Sequence, residues 1–267
     1  MVVLALVFAA STAGVILRLL DYQGGAEDYS EAEQMVNLPT PAPTPAPTPA
    51  PTADAEPDGP ETEEPAPADE DTAYIDALKN IDLAPLQAEN PDVLGWIVIP
   101  NTQLSYPIVQ GSNNDYYLNH TWKRVRRGVG AIFMDYRNSG GLDEFNTIIY
   151  GHRMSDNSMF HTLLSYEQQS FWAEHPAVYV VSADGCRRYD IFAAYEAATS
   201  GDTYRLEFGD DGERQAFLDY CLDRSVLDTG IVPGTDSQIL TLSTCTRVSS
   251  RTARWVVHGV LAEEARQ

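Results

Sequence analysis

The sequence predicts a mostly β domain, an antiparallel barrel or sandwich, carried behind a long N-terminal region of different composition. Three observations lead there. Short strand-like runs recur over 94–99, 105–109, 130–134, 147–150, 178–181, 189–194, 238–244 and 254–261, separated by turn-rich pieces such as Gly111-Ser112-Asn113-Asn114-Asp115 and Pro233-Gly234-Thr235-Asp236. Helical patterning is confined to one or two short helices between 74 and 86 and to 159–174 and 211–224. A parallel α/β sheet needs a helix between nearly every strand pair, and this chain lacks them.

Taken in order, residues 1–17 (MVVLALVFAASTAGVIL) carry no charged side chain, and Arg18, Leu19 and Leu20 follow. Twenty helical residues at ~1.5 Å each cover about 30 Å, the thickness of a hydrocarbon layer. The expectation is a membrane anchor over 1–20, with Arg18 at the interface. A cleaved signal peptide with Ala9-Ala10-Ser11 near its cleavage site is the alternative. Arg18 on the far side of the run does not follow the positive-inside pattern for a secreted domain.

Residues 21–73 hold 14 Asp and Glu and no Lys or Arg, and 11 of the 17 Pro lie between Pro39 and Pro67. Such a segment has too few large apolar groups to offset the entropy of ordering, and alternating Pro favours polyproline II. It reads as a disordered acidic stalk that lifts a domain, 74–267, off a membrane. A ligand for a Pro-binding domain, plain disorder and Thr glycosylation are the competing readings.

The formal charge is −22, much of it in 21–73, and no basic tract is available to neutralise phosphates, so duplex nucleic-acid binding is not expected. The 43% hydrophobic content rules out a multi-span membrane protein. Three Cys exclude a disulfide-dense scaffold, and neither C-x-x-C nor H-E-x-x-H occurs, so no metal is expected.

The three Cys differ in context. Cys221 follows Phe217 at i, i+4 on an apolar helical stripe and reads as core; Cys186 follows an Ala-Asp-Gly turn with no His near it. Cys245 ends the alternating run 239–245, where a sulfur can reach the end of a barrel. Among the His, His120, His161 and His175 sit in polar or helical contexts and His258 inside the last strand; His152 follows a strand and a Gly. Arg254 opens the last strand, nine residues after Cys245, with Arg247 and Arg251 as competitors in the loop. Its planar donors suit an oxyanion or a substrate carbonyl.

Six blocks then carry a resemblance: Gly95-Trp96-Ile97-Val98-Ile99-Pro100, Tyr106-Pro107-Ile108-Val109-Gln110, Asn114-Asp115-Tyr116-Tyr117-Leu118, Ile132-Phe133-Met134-Asp135-Tyr136-Arg137-Asn138, Ile149-Tyr150-Gly151-His152 and Thr241-Leu242-Ser243-Thr244-Cys245. In this order they resemble the sortases, specifically class B, over about residues 74–267. The resemblance implies a closed eight-stranded β-barrel with N-terminal helices and a helix before the Cys-bearing strand, which 211–224 matches. It implies that Cys245 is the nucleophile, His152 the catalytic His and Arg254 the catalytic Arg. It also implies that Thr244 helps shape the oxyanion site, with Ser243 beside it as substrate-binding. Thr246 stands where many class B members carry an acidic residue.

The implied activity is that of a cysteine transpeptidase without cofactor. It would cleave an Asn-Pro-x-Thr-like C-terminal sorting signal of secreted proteins through a thioester, then join them to a peptidoglycan-precursor or pilin amine. The implied location is the cell membrane, single-pass through the N-terminal helix, with the catalytic domain outside. A plain cysteine peptidase and a non-catalytic wall-spanning binding module are the alternatives.

Overall fold

The computed structural model describes residues 2–39, 70–139, 141–246 and 252–266. Eight strands close into a barrel: β1 (Val93–Val98), β2 (Ser105–Val109), β3 (Ile132–Met134), β4 (Asn146–Tyr150), β5 (Ala177–Ser182), β6 (Gly185–Ala198), β7 (Ile239–Cys245) and β8 (Ala253–Arg266). Their spatial order is β1-β2-β3-β4-β7-β8-β6-β5, and the β5–β1 pairing seals the sheet. Most pairs are antiparallel, as expected. The pairs β2–β3 and β4–β7 are parallel. A parallel pair needs a long crossover, and the chain between β4 and β7 supplies one through β5, β6 and a helix.

Leu240 and Leu242 of β7 join Trp96, Ile108, Ile132, Ile149 and Val257 in the main core. The opposite face of β7, with β6 and β8, carries Ile239, Tyr195 and Val256 under helix α5 (Asp211–Arg224), which buries Phe217, Leu218 and Cys221 there. Asp210 caps α5 by accepting from the Glu213 N–H at 2.9 Å, a cap of about 1 kcal/mol. The helix expected over 159–174 is instead a 3-10 stretch, Phe160–Glu167, followed by α4 (Gln169–Glu174). Gln168 is extended, with φ −111° and ψ 124°, and interrupts it.

The N-terminal region departs from expectation. Helix α1 runs from Val2 to Val36, so residues 21–36, expected as the start of a stalk, are helical. They dock on the barrel. Tyr29, Ala32 and Val36, spaced i, i+3, i+7, are buried. The acidic groups find partners: Asp21 accepts from the Gly128 N–H at 2.9 Å, Asp28 from the Thr121 hydroxyl at 3.0 Å, and Glu31 pairs with Lys123 at 2.7 Å. The Asp28 carbonyl accepts from the Trp122 indole at 2.7 Å. An apolar stripe with satisfied acids thus orders a segment whose composition suggested disorder. Helices α2 (Glu70–Leu78) and α3 (Ala84–Glu89) follow, with Ile75, Leu78 and Leu86 buried. The rest of the expected stalk, 40–69, lies outside the described residues, as do most side chains of the expected anchor, 1–20. Among the described residues no helix is long and apolar enough to cross a membrane.

Candidate active site

The register of three neighbouring strands brings the site together. In the parallel β4–β7 pair Tyr150 lies opposite Ser243, and the Gly151 N–H donates to the Ser243 carbonyl at 3.1 Å. His152, two residues past Tyr150, is therefore level with Cys245, two residues past Ser243. In the antiparallel β7–β8 pair Cys245 lies opposite Arg254. One end of β4, β7 and β8 thus gathers an imidazole, a sulfur and a guanidinium. A Cβ on Gly151 would collide with Ile132 and lie 2.7 Å from Phe160, so the bare backbone lets the chain turn into the site.

The electrostatics is that of a coupled pair. A hydrogen bond from His152 pulls the Cys245 thiol below its ordinary value, against burial, and the charges of Arg254, His152 and Arg153 add to it. The same bond raises His152, against burial, helped by the Leu118 carbonyl and opposed by Arg254. Both directions shift the pair toward thiolate and imidazolium. The Leu118 carbonyl lies 2.6 Å from His152 Nε2. A carbonyl only accepts, so Nε2 carries a proton there and Nδ1 is left to exchange one. Arg254, half-buried, donates through Nη1 to the Ala253 carbonyl at 2.8 Å, which fixes the plane of its fork.

A second Cys–His pair lies under α5, with Cys221 Sγ 3.9 Å from His258 Nε2. Its chemistry runs the other way. Burial pushes the Cys221 thiol up to about 12 and His258 down to about 3. Thr241 donates to Asn146 Oδ1 at 2.6 Å, so His258 Nδ1 must donate to Thr241 at 3.0 Å, and Nε2 accepts from the Tyr195 hydroxyl at 3.0 Å. Burial holds His258 neutral inside the wall, and the network gives both ring nitrogens a partner. Cys186 is buried too, and burial raises its thiol to about 12.

The two expected substrate-binding residues lie on opposite faces of β7. Alternate residues of a strand face opposite sides, so Ser243 shares a face with Cys245 and Thr244 does not. Thr244 is buried and its hydroxyl has no hydrogen-bond partner among the described residues. The Ser243 hydroxyl is bonded to that of Tyr204 at 2.9 Å. Tyr204, close enough to feel the charges of Cys245 and Arg254, carries no catalytic signal in the sequence, since it lies in no motif and far from both along the chain. Its ring stacks on that of Tyr150 at 6.2 Å. Tyr150 donates to Asp135 at 2.9 Å, and Arg137 grips the same carboxylate. The block 132–138 therefore braces the strand before His152. Arg247 and Arg251, the competitors of Arg254, lie outside the described residues. Among the described residues no group of His, Cys, Asp or Glu is arranged to hold a metal ion.

These directions predict a labelling pattern. A thiol-alkylating reagent titrated against pH labels Cys245 with an inflection below that of an ordinary thiol, while Cys186 and Cys221 stay unlabelled in the folded chain. Removing His152 removes the bond that lowers Cys245, so the inflection moves to higher pH in His152→Ala. An inflection that stays put separates the two side chains.

The sortase domain family model matches residues 97–262. Sortase B of Staphylococcus aureus is 37% identical over 172 residues, covering 64% of this chain and 70% of the relative. Sortase B of Listeria monocytogenes is 36% identical over 191 residues, 71% of this chain and 78% of the relative. Among solved structures, a Staphylococcus aureus sortase B–substrate complex superposes with a TM-score of 0.65 at 36% identity, covering 68% of this chain and 85% of that one. Sortase B of Bacillus anthracis in complex with AAEK1 gives 0.70 at 27% identity, covering 92% and 100%.

Proposed function

The chain belongs to the sortase family, within its class B, and from that premise we propose that it cleaves a C-terminal sorting signal of secreted proteins at Cys245 and joins them to a cell-wall or pilin amine. The observation that carries this reading is the meeting of Cys245, His152 and Arg254 at one end of β4, β7 and β8, with the thiol lowered and the imidazole raised.

In this mechanism the Cys245 thiolate attacks the carbonyl carbon of the Thr of an Asn-Pro-x-Thr-like signal. The carbonyl electrons move to oxygen, and Arg254 faces that oxyanion; one such donor contributes about 3–4 kcal/mol to the transition state. The C–N bond breaks as His152 gives its proton to the leaving amine, leaving a thioester on Cys245. An incoming amine then loses a proton to His152 and attacks the thioester, and the thiolate departs. Family membership supports the sorting signal, and the Staphylococcus aureus relative has been solved with a substrate, while a sortase B has been solved with triglycine.

The same reading puts the chain in the cell membrane, single-pass through residues 1–20, with the barrel outside; the uncharged run 1–17 supports it. The docked part of α1 begins at Asp21, directly after residue 20. The barrel would then sit close against the bilayer, and the Pro-rich segment would join α1 to α2 rather than serve as the spacer.

The test incubates the full chain with peptides carrying an Asn-Pro-x-Thr core, with triglycine or diaminopimelate as acceptor, and identifies products by mass. A product joined through the Thr carbonyl to the amine is expected. Hydrolysed peptide alone, at every acceptor concentration, makes the chain a peptidase; no cleavage of any sorting peptide removes the substrate assignment.

A further inference from the structure

Tyr29 of helix α1 reaches the surroundings of the candidate active site. The Tyr29 hydroxyl donates to the Gly130 carbonyl at 2.5 Å, in the interior, across 101 positions of sequence. Gly130 has φ +61°, and a Cβ there would lie 2.9 Å from Cδ2 of His152, 2.7 Å from the Leu118 carbonyl and 2.8 Å from the Tyr117 carbonyl. Its backbone is thus wedged between the His152 ring and the carbonyl that ring bonds. The ring of Tyr29 also packs edge-on against Tyr106 at 5.3 Å. The Tyr106 hydroxyl accepts from the Met159 N–H at 2.9 Å, Met159 bridges Arg153, and the Phe160 N–H donates to the His152 carbonyl at 2.9 Å. Tyr29 therefore touches one support of His152 directly, the turn under its ring, and reaches the other, the loop that follows it, through Tyr106.

We propose that Tyr29 is a positioning residue for His152, so that docking of the N-terminal helix completes the acid–base geometry of the barrel. Neither glycine nor tyrosine here touches a reacting atom. Tyr29 fixes Gly130, Gly130 fixes the gap between ring and Leu118 carbonyl, and that gap sets where the imidazole proton sits. Misplacing an acid–base group by a fraction of an ångström costs rate without costing substrate binding.

The proposal rests on His152 being the acid–base group, and the experiment tests the two separately. Tyr29→Phe in the full chain keeps the ring and deletes the hydroxyl. The expected result is a fall in kcat of roughly tenfold with KM for the sorting peptide within about twofold. The His152 titration, followed by NMR, moves to lower pH as the Leu118 bond that raises it loosens. Thr121→Val, which removes another bond to α1 (Thr121 to Asp28, 3.0 Å) away from Gly130, is expected to keep the wild-type titration and kcat. If His152→Ala is inactive while Tyr29→Phe matches wild type in kcat and His152 titration, whatever its melting temperature, the proposal is overturned. An equal shift in Thr121→Val overturns it as well, by making the effect one of general loosening. Turnover retained in His152→Ala removes the underlying reading instead.

Discussion

Cys245→Ala yields no ligated product, with a rate loss on the order of 10⁴-fold or more, and leaves the melting temperature close to wild type. The sulfur is half-buried at the end of β7, so its removal opens no core cavity. Cys221→Ala gives the reverse result. Cys221 is fully buried beside Phe217 and Leu218 on the inner face of α5, so losing its sulfur costs about 1–2 kcal/mol of stability and leaves turnover in place. The pair of variants separates the two Cys–His contacts of this fold by opposite outcomes. Activity assays and thermal melts on the same preparations decide it. Loss of turnover in Cys221→Ala at a temperature where it is fully folded would move the chemistry under α5.

Arg254→Lys loses activity on the order of a hundred- to a thousandfold. A lysine keeps the positive charge opposite Cys245 but not the planar fork. Comparison with Arg254→Met separates charge from geometry. Arg254 pulls both the Cys245 thiol and the His152 imidazole down. Removing a cation favours the protonated form of each neighbour, so both values rise and the bell-shaped pH–rate profile moves to higher pH in Arg254→Met. In Arg254→Lys the charge remains, so the profile keeps its position while its height falls. The two limbs belong to the coupled pair rather than to either residue. Near-normal rates in Arg254→Lys would transfer the oxyanion role to the loop arginines.

Much of this site is legible in the sequence because its three side chains stand where strands end. The alternating run 239–245 and the run 147–150 are visible as strands, and Gly151-His152 and Cys245 follow from them. What the runs do not encode is pairing. Nothing local says that β4 lies parallel to β7, and that register levels His152 with Cys245. The same alternation assigns Ser243 and Thr244 to opposite faces, so Ser243 is the one that shares a face with the sulfur. The Leu118 carbonyl and Gly130 are hidden for another reason: they act through backbone atoms, which residue identity does not report. Residues 21–36 escape a reading that weighs composition over period. Five acidic groups mask the stripe of Tyr29, Ala32 and Val36, and their partners on 121–128 lie about a hundred residues away. The helix expected over 159–174 fails at Gln168, whose extended backbone no periodicity reveals.

The most direct test is the intact mass of the full chain mixed with a sorting-signal peptide in the absence of any acceptor amine. A covalent adduct equal to the N-terminal peptide fragment as an acyl group is expected, located on Cys245 by digestion and released by hydroxylamine. An acyl group on Cys186 or Cys221, or steady turnover in which no acyl-enzyme ever forms, contradicts the account.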